Sequence, residues 1–215
     1  MNSAERVRAA AVKLFAAKGF HGTGIRDLAQ EAELSSATLY HYMGTKEDLL
    51  VEIMTTALRR LLDAAGKATP EHGDPMVRLR TLVALHVLAH AVQPGETRVV
   101  DNEVDALSAP ARARVVALRD EYEQRWAQII EDGVESGAFH TDRPAVTRLA
   151  LLEMCSGVAR WYSPRGPVRL DELATHYAEL ALRALGHPAT VRAEDLRHCM
   201  DVVAQVWDLP VQPGN

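Results

Sequence analysis

Residues 25–32 and 35–42 carry two short runs at helical period, and only Glu33-Leu34 separates them. Ile25, Leu28, Ala29 and Ala32 share one face of the first run, while Ser35 caps the second, which carries Leu39. Neither run is long enough to hold a helix by itself in water. Each must bury its apolar stripe on the other, and a two-residue joint forces them to cross steeply. Ala29 is small enough to stand at the crossing, with Leu34 and Leu39 locking the second run onto the first. The pattern is that of a helix-turn-helix.

The flanking sequence has the same helical grammar. Asn2 and Glu5 have capping-box spacing, and Val7, Ala10, Ala11, Leu14 and Phe15 follow on one face until Gly19 stops the helix after Lys18. Thr45 and Asp48 form a second box, opening a long helix through Leu49, Leu50, Ile53, Met54, Ala57, Leu58 and Leu61. The stretch 66–75, with Pro70, Gly73 and Pro75, reads as a domain junction. Helical period returns over 76–92, 97–107, 111–136, 144–162, 170–185 and 191–207, with breaks at Pro94-Gly95, Pro110, Gly137, Pro144 and 163–167. The last six residues, 210–215, read as a frayed end. No strand-like alternation of useful length occurs, so the expected fold class is all-α. Residues 1–50 are expected to form the head, with a connecting helix over 45–65, and 66–215 the body.

Charge and cysteine content narrow the partners. The net charge of −5 is the wrong sign for phosphate contact, but its distribution matters more than its sum. Six basic residues (Arg6, Arg8, Lys13, Lys18, Arg26, Lys46) balance six acidic ones (Glu5, Asp27, Glu31, Glu33, Glu47, Asp48) in the first fifty. The excess negative charge therefore lies in the body. Cys155 and Cys199 show no CxxC spacing and read as packed, reduced thiols. With no long uncharged apolar stretch and no basic-then-apolar leader pattern, a cytoplasmic protein without membrane contact is expected.

A helix-turn-helix shape alone also occurs in proteins that never touch DNA. The residues on the outer face of 35–42 say more: Ser36, Ala37, Thr38, Tyr40, His41 and Tyr42. Small and hydroxyl-bearing side chains let a helix sink into a major groove, and the aromatic ones reach phosphates or thymine methyls. Lys46, just after the Thr45 cap, suits a phosphate at a helix start. The run from Gly19 to Ala32, GFHGTGIRDLAQEA, followed by LSSATLYHYMGTKEDL from Leu34 to Leu49, resembles the DNA-binding domain of tetracycline-repressor-type (TetR) regulators. Two departures occur: Gly24 stands where Thr or Ser usually caps the second helix, and Ala37 replaces the usual Gly. The resemblance implies contacts to a near-palindromic double-stranded operator from Thr23, Arg26, Ser35, Ser36, Ala37, Thr38, Tyr40, His41, Tyr42 and Lys46.

For the body, the resemblance implies a helical ligand-binding and dimerisation domain, making the protein a homodimer. Val146, Leu149, Leu152 and Val158 on one helix, and Leu173, Tyr177, Leu180 and Leu185 on another, are the stripes expected to pack against their twins; they would serve an internal core equally well. The element Arg160-Trp161-Tyr162-Ser163-Pro164-Arg165-Gly166 resembles a TetR subgroup that represses fatty-acid or steroid catabolism and is released by acyl-CoA thioesters. That likeness implies an apolar tunnel lined by Leu82, Leu85, Val87 and Leu88, with His86 as a polar lining residue. Arg119, Arg160 and Arg165 would supply cations for phosphates, and Trp161 an aromatic cover.

Rival chemistries find less support. His86 and His90 have chelating i,i+4 spacing, but no HExxH pattern and no third ligand accompany them, so neither metal nor cofactor is expected. A same-fold regulator that senses a metal or a hydrophobic drug stays open. The acidic Asp101, Glu103 and Asp105 read as a solvated face. No Gly-rich phosphate loop follows a strand, and no catalytic triad or carboxylate pair stands on a recognisable scaffold, so an enzyme is not expected.

Overall fold

The computed structural model describes residues 2–188 and 190–209; the expected frayed end, 210–215, lies outside them. Eleven helices and two short 3-10 turns, with no strand among the described residues, make the chain all-α: α1 Ser3–Lys18, α2 Ile25–Glu31, α3 Ser36–Met43, α4 Lys46–Ala68, α5 Pro75–Val92, α6 Pro94–Asn102, α7 Ala109–Glu135, α8 Pro144–Ser156, α9 Val158–Trp161, α10 Leu170–Ala184 and α11 Arg197–Val206. The 3-10 turns are Val104–Ala106 and Ala193–Leu196.

The capping chemistry is in place. At α1 the Asn2 side chain accepts the Glu5 N–H at 2.9 Å and the Glu5 carboxylate accepts the Asn2 N–H at 2.8 Å. Thr45 and Asp48 exchange the same pair of bonds at 3.0 Å each. Gly44, between α3 and α4, has φ +64°, a left-handed conformation that costs glycine nothing. Two expected boundaries move. Pro94 opens α6 instead of breaking the chain, since a first-turn proline gives up only an N–H that the helix leaves unpaired. The helix expected over 144–162 divides at Gly157 into α8 and α9.

The described residues pack as two units, one holding the chain up to Arg59 together with Pro94–Arg119, the other Arg60–Gln93 with the chain from Asp120 onward. The division falls inside α4 and α7. In the first unit Val7, Ala11, Phe15, Leu28, Leu39, Leu50 and Ile53 form one core with Val99, Val100, Leu107 and Val115. Residues 94–119 thus complete the hydrophobic interior of the helix-turn-helix head. In the second unit α5 packs most extensively against α10, and also against α8, α9 and α11. By length and composition α5 could cross a membrane, yet 72% of that window is buried in the protein. A helix that is apolar all round is here the central core helix.

One close approach in this unit makes a sharp test. A Cβ on Gly133 of α7 would stand 2.0 Å from the Phe139 ring, and Phe139 is 1% exposed with its N–H bonded to the Gly133 carbonyl at 2.9 Å. Gly133→Ala should lower stability by about 2 kcal/mol, an overpacking cost that exceeds the helix-propensity gain of Ala. Urea unfolding checks this, and an unchanged midpoint would show that the turn after α7 yields freely.

Candidate nucleic-acid interface and effector site

Three arrangements hold the helix-turn-helix in shape. Glu33, in the turn between α2 and α3, has φ +53°, and Arg6 of α1 closes over it. The Arg6 guanidinium donates to the Ala32 carbonyl at 3.0 Å through Nε and to the Glu33 carbonyl at 2.8 Å through Nη2. These carbonyls end α2, so Arg6 supplies the cation that a helix C-terminus favours. At α3, the Ser35 hydroxyl accepts the Thr38 N–H at 3.1 Å. At α2 the glycine that replaces the usual cap has no side chain to offer. Asp27 compensates by accepting the Gly24 N–H at 3.2 Å.

Leu39 and Met43 turn inward from α3, leaving Ser36, Ala37, Thr38, Tyr40, His41 and Tyr42 exposed with Ser35. Tyr40 and Tyr42 are 52% and 45% exposed, high for aromatic side chains. The His41 and Tyr42 rings meet edge to face at 5.1 Å. Arg26 is exposed on the first turn of α2. The Ser35 and Thr38 hydroxyls lie 2.8 Å apart and pair with each other. The surface is small, polar and aromatic, with a cation at its border.

Two expected contacts change character. Thr23 is 1% exposed and its hydroxyl donates to the Gly19 carbonyl at 2.8 Å, so it shapes the loop from inside and presents no side chain to DNA. Lys46 is half-buried: its ammonium donates to the Phe20 and Thr23 carbonyls at 2.8 and 2.9 Å and sits 4.2 Å over the Phe20 ring. Two of its three N–H bonds are thereby spent on the loop before α2, and one is left for a phosphate. Sequence reasoning missed Arg6, because a surface arginine on a polar helix face carries no mark of its partners. It also misplaced Glu103, expected on a solvated face. That carboxylate is half-buried and accepts the Phe20 N–H at 2.9 Å.

In the second unit the residues expected to line a tunnel are packed. Leu82 and Leu85 are 0% exposed, Val87 0% and Leu88 1%, and the apolar recess found in this unit is bordered by others. It has a volume of about 590 Å³, lined by Met154, Trp161, Val168, Leu173, Tyr177 and Leu180 with Glu172 and His176. Trp161 is 54% exposed at its edge. Arg160 and Arg165 are exposed on the same short stretch of chain. Arg119 belongs to the first unit. Of the stripes expected to face a twin, Val158, Leu173, Tyr177 and Leu185 are buried in the chain's own core, α10 having turned that face toward α5. Val146 and Leu149 remain 58% and 50% exposed, with Leu152 and Leu180 half-buried.

The second unit also holds a buried polar cluster. The His86 ring binds the Tyr122 hydroxyl through Nδ1 at 3.0 Å and the Ser156 hydroxyl through Nε2 at 3.1 Å. His90 donates from Nδ1 to the His86 carbonyl at 2.8 Å, and the two imidazoles stack with centroids 3.8 Å apart. Burial holds both rings neutral, taking His90 down to about 4 and His86 well below its ordinary value, where His90 adds to the effect. Both His86 nitrogens are occupied by hydroxyls and the rings lie face to face. That geometry serves hydrogen bonding rather than a shared metal ion.

Comparison with known proteins identifies the family. The family profile described as bacterial regulatory proteins, tetR family, matches residues 7–53, and that of the tetracyclin repressor-like C-terminal domain matches 72–185. The HTH-type transcriptional repressor KstR2 of Rhodococcus jostii is 30% identical over 180 residues, covering 83% of this chain and 88% of that protein. Among solved structures, the TetR family regulator PfmR of Thermus thermophilus superimposes with TM-score 0.73 at 37% identity, over 83% of this chain and 97% of that one. AibR, solved with isovaleryl coenzyme A and operator DNA, shares the fold at 21% identity with TM-score 0.73, again over 83% and 97%. Head and C-terminal domain both match, and a named repressor aligns along most of both chains: the chain belongs to the tetR family and is a DNA-binding transcriptional regulator.

Proposed function

We propose that the chain is a cytoplasmic repressor that holds a near-palindromic operator as a homodimer and releases it when an amphipathic acid of the acyl-CoA class binds. Residues 1–50 read DNA, with 45–65 as the connecting helix, and 66–215 sense the effector and dimerise. The exposed Val146 and Leu149 of α8 supply an apolar stripe for a twin. Two-fold symmetry then sets the reading helices about 34–36 Å apart. Ser36, Ala37, Thr38 and Tyr40 face base edges, while Arg26, His41, Tyr42 and Lys46 hold the backbone. Tyr42→Ala should weaken binding to every sequence by about tenfold. Thr38→Ala or Tyr40→Ala should instead change which base pairs are preferred. Gel shift against operator and scrambled DNA separates the two classes, and no effect from any of them would sink the assignment.

The observation that carries the effector class is Trp161, half out in solvent at the edge of an apolar recess, with Arg160 and Arg165 beside it in sequence. An acyl group suits the recess, and paired guanidinium N–H donors suit the phosphates. AibR, of the same fold, holds isovaleryl coenzyme A. Release needs differential affinity: a hundredfold preference for the DNA-incompetent state corresponds to about 2.7 kcal/mol. Calorimetry with acyl-CoAs, free fatty acids, hydrophobic drugs and divalent metals tests the class. Arg165→Met and Trp161→Leu should keep DNA binding and lose the response to thioesters. Wild-type protein that binds no thioester, or variants that respond normally, would refute this effector and leave the DNA-binding role untouched.

A further inference from the structure

The contacts around Lys46 close a circuit within the first unit. Its ammonium donates to the Phe20 and Thr23 carbonyls at 2.8 and 2.9 Å, with the Phe20 ring beneath it. Phe20 in turn gives its N–H to the Glu103 carboxylate at 2.9 Å, 83 residues away in sequence. From Glu103 the chain runs through the buried Leu107 to Ser108, whose N–H donates at 2.7 Å to Glu47, the residue after Lys46. The stretch 103–108 thus grips the head on both sides of Lys46.

Glu103 is itself firmly placed. Its N–H donates to the Val99 carbonyl at 3.2 Å and its carbonyl accepts the Ala106 N–H at 3.1 Å, where α6 passes into the 3-10 turn. Val99 is fully buried in the head's core. A Cβ on Gly19 would stand 3.5 Å from Glu103 Oε1, so the carboxylate lies against the end of α1. The last carbonyls of a helix carry partial negative charge, and an acidic group there is at the unfavourable pole. The bond to the Phe20 N–H offsets that disadvantage, and its structural product is a fixed Phe20.

We propose that Glu103 is a positioning residue for operator binding: by fixing Phe20 it holds the Lys46 ammonium where a DNA phosphate meets it. The inference rests on the reading of Lys46 as a backbone contact and adds the residue that sets its geometry. Lysine carries its ammonium on a flexible stem, and much of that freedom is already lost when two carbonyls and a ring hold the cation before DNA arrives. Loosening Phe20 returns the freedom, and binding then has to remove it. The hydrogen bond matters here, not the charge. A negative charge acting on the phosphates directly would repel them, and its removal would tighten binding.

The test uses the full chain and a duplex that wild-type protein selects from a random pool. Glu103→Gln keeps an oxygen that accepts the Phe20 N–H, while Glu103→Asp keeps the charge on a shorter stem. Glu103→Ala and Glu103→Asp should each weaken binding about fivefold, and Glu103→Gln should stay within about twofold of wild type. In a Lys46→Met background Glu103→Ala should have no further effect, because Glu103 acts through Lys46. The Phe20 amide should exchange slowly with solvent in wild type and Glu103→Gln, and faster in Glu103→Ala and Glu103→Asp. Urea unfolding shows that each variant is folded; if Glu103→Ala is not, the contrast between Glu103→Gln and Glu103→Asp decides. Binding that is unchanged or tighter in Glu103→Ala, that follows the charge instead of the bond, or that falls equally with and without Lys46 overturns the proposal, as does equal Phe20 protection in all variants. Lys46→Met by itself should reduce the slope of log affinity against log salt by about 0.9 per head. An unchanged slope refutes the phosphate role of Lys46 and this inference with it. A reduced slope, with no effect of the Glu103 substitutions, overturns only the inference.

Discussion

Arg8→Ala should destabilise the protein by about 3 kcal/mol and weaken operator binding with it. Arg8 on α1 pairs with Glu96 on α6, with side chains 21% and 7% exposed, inside the unit that carries the helix-turn-helix. Removing the cation takes a close ionic partner from the largely buried Glu96 carboxylate, and breaking a buried pair from one side costs more than the net worth of the intact pair. The loss should therefore be largely recovered in Arg8→Met combined with Glu96→Leu, which replaces both charges by apolar volume. Urea unfolding of the two variants is the measurement. A single substitution that costs under 1 kcal/mol would mean that water reaches the pair. The expected weakening of DNA binding follows from the position of α6, since Val99 and Val100 share the head's core.

Mild acid should destabilise the protein before its carboxylates titrate. His90 has its pKa taken from 6.5 to about 4 by burial, and His86 is lowered in the same direction. Both are neutral in the fold, and the unfolded chain binds more protons between about pH 6.5 and pH 4. Stability is fully present above the unfolded value and is lost as pH falls through that window. For His90 alone the loss from pH 7 to pH 5 is about 2 kcal/mol, and His86 adds to it. Other buried groups near the pair do not interfere: burial pushes the Cys155 thiol up to about 12 and raises the Tyr122 phenol as well. Asp132, held low by hydrogen bonds from Gln128 and Arg78, and Asp195, held low by the Arg192 N–H, lose their contributions only below the usual carboxylate range. Thermal melts from pH 7 to pH 5 should fall steeply in wild type and more gently in His90→Gln. Parallel curves would show that His90 is not the group that takes up the proton.

Much of the head was legible because its signals are local. Caps at Asn2, Ser35 and Thr45 join residues three apart, and a four-residue window contains all the chemistry they need. The outward face of α3 is equally readable: once Leu39 and Met43 are seen to be apolar at helical spacing, Tyr40, His41 and Tyr42 have only the outside left. Thr23 went the other way. Its side chain resembles that of a surface hydroxyl residue, yet the loop folds it inward onto Gly19, a distinction that depends on Phe20 and Lys46 packing beside it.

The effector region was the harder reading. Leu82, Leu85, Val87 and Leu88 are apolar on all sides of one helix, and such a helix is equally a tunnel wall and a filled core; neighbours from α8 to α11 bury it, and the recess is lined by other residues. The sequence by itself determined the helices, their caps and the reading face, since each depends on contacts within a turn or two of the chain. Which acids are buried, which leucines fill space and which aromatic groups border a recess was decided only by tertiary packing. Glu96 and Glu103 meet Arg8 and the Phe20 N–H across more than eighty residues, and His86 meets Ser156 across seventy. No periodicity encodes such pairs. They exist because burial removes water from both partners at once, so that each must find a donor or acceptor within the protein.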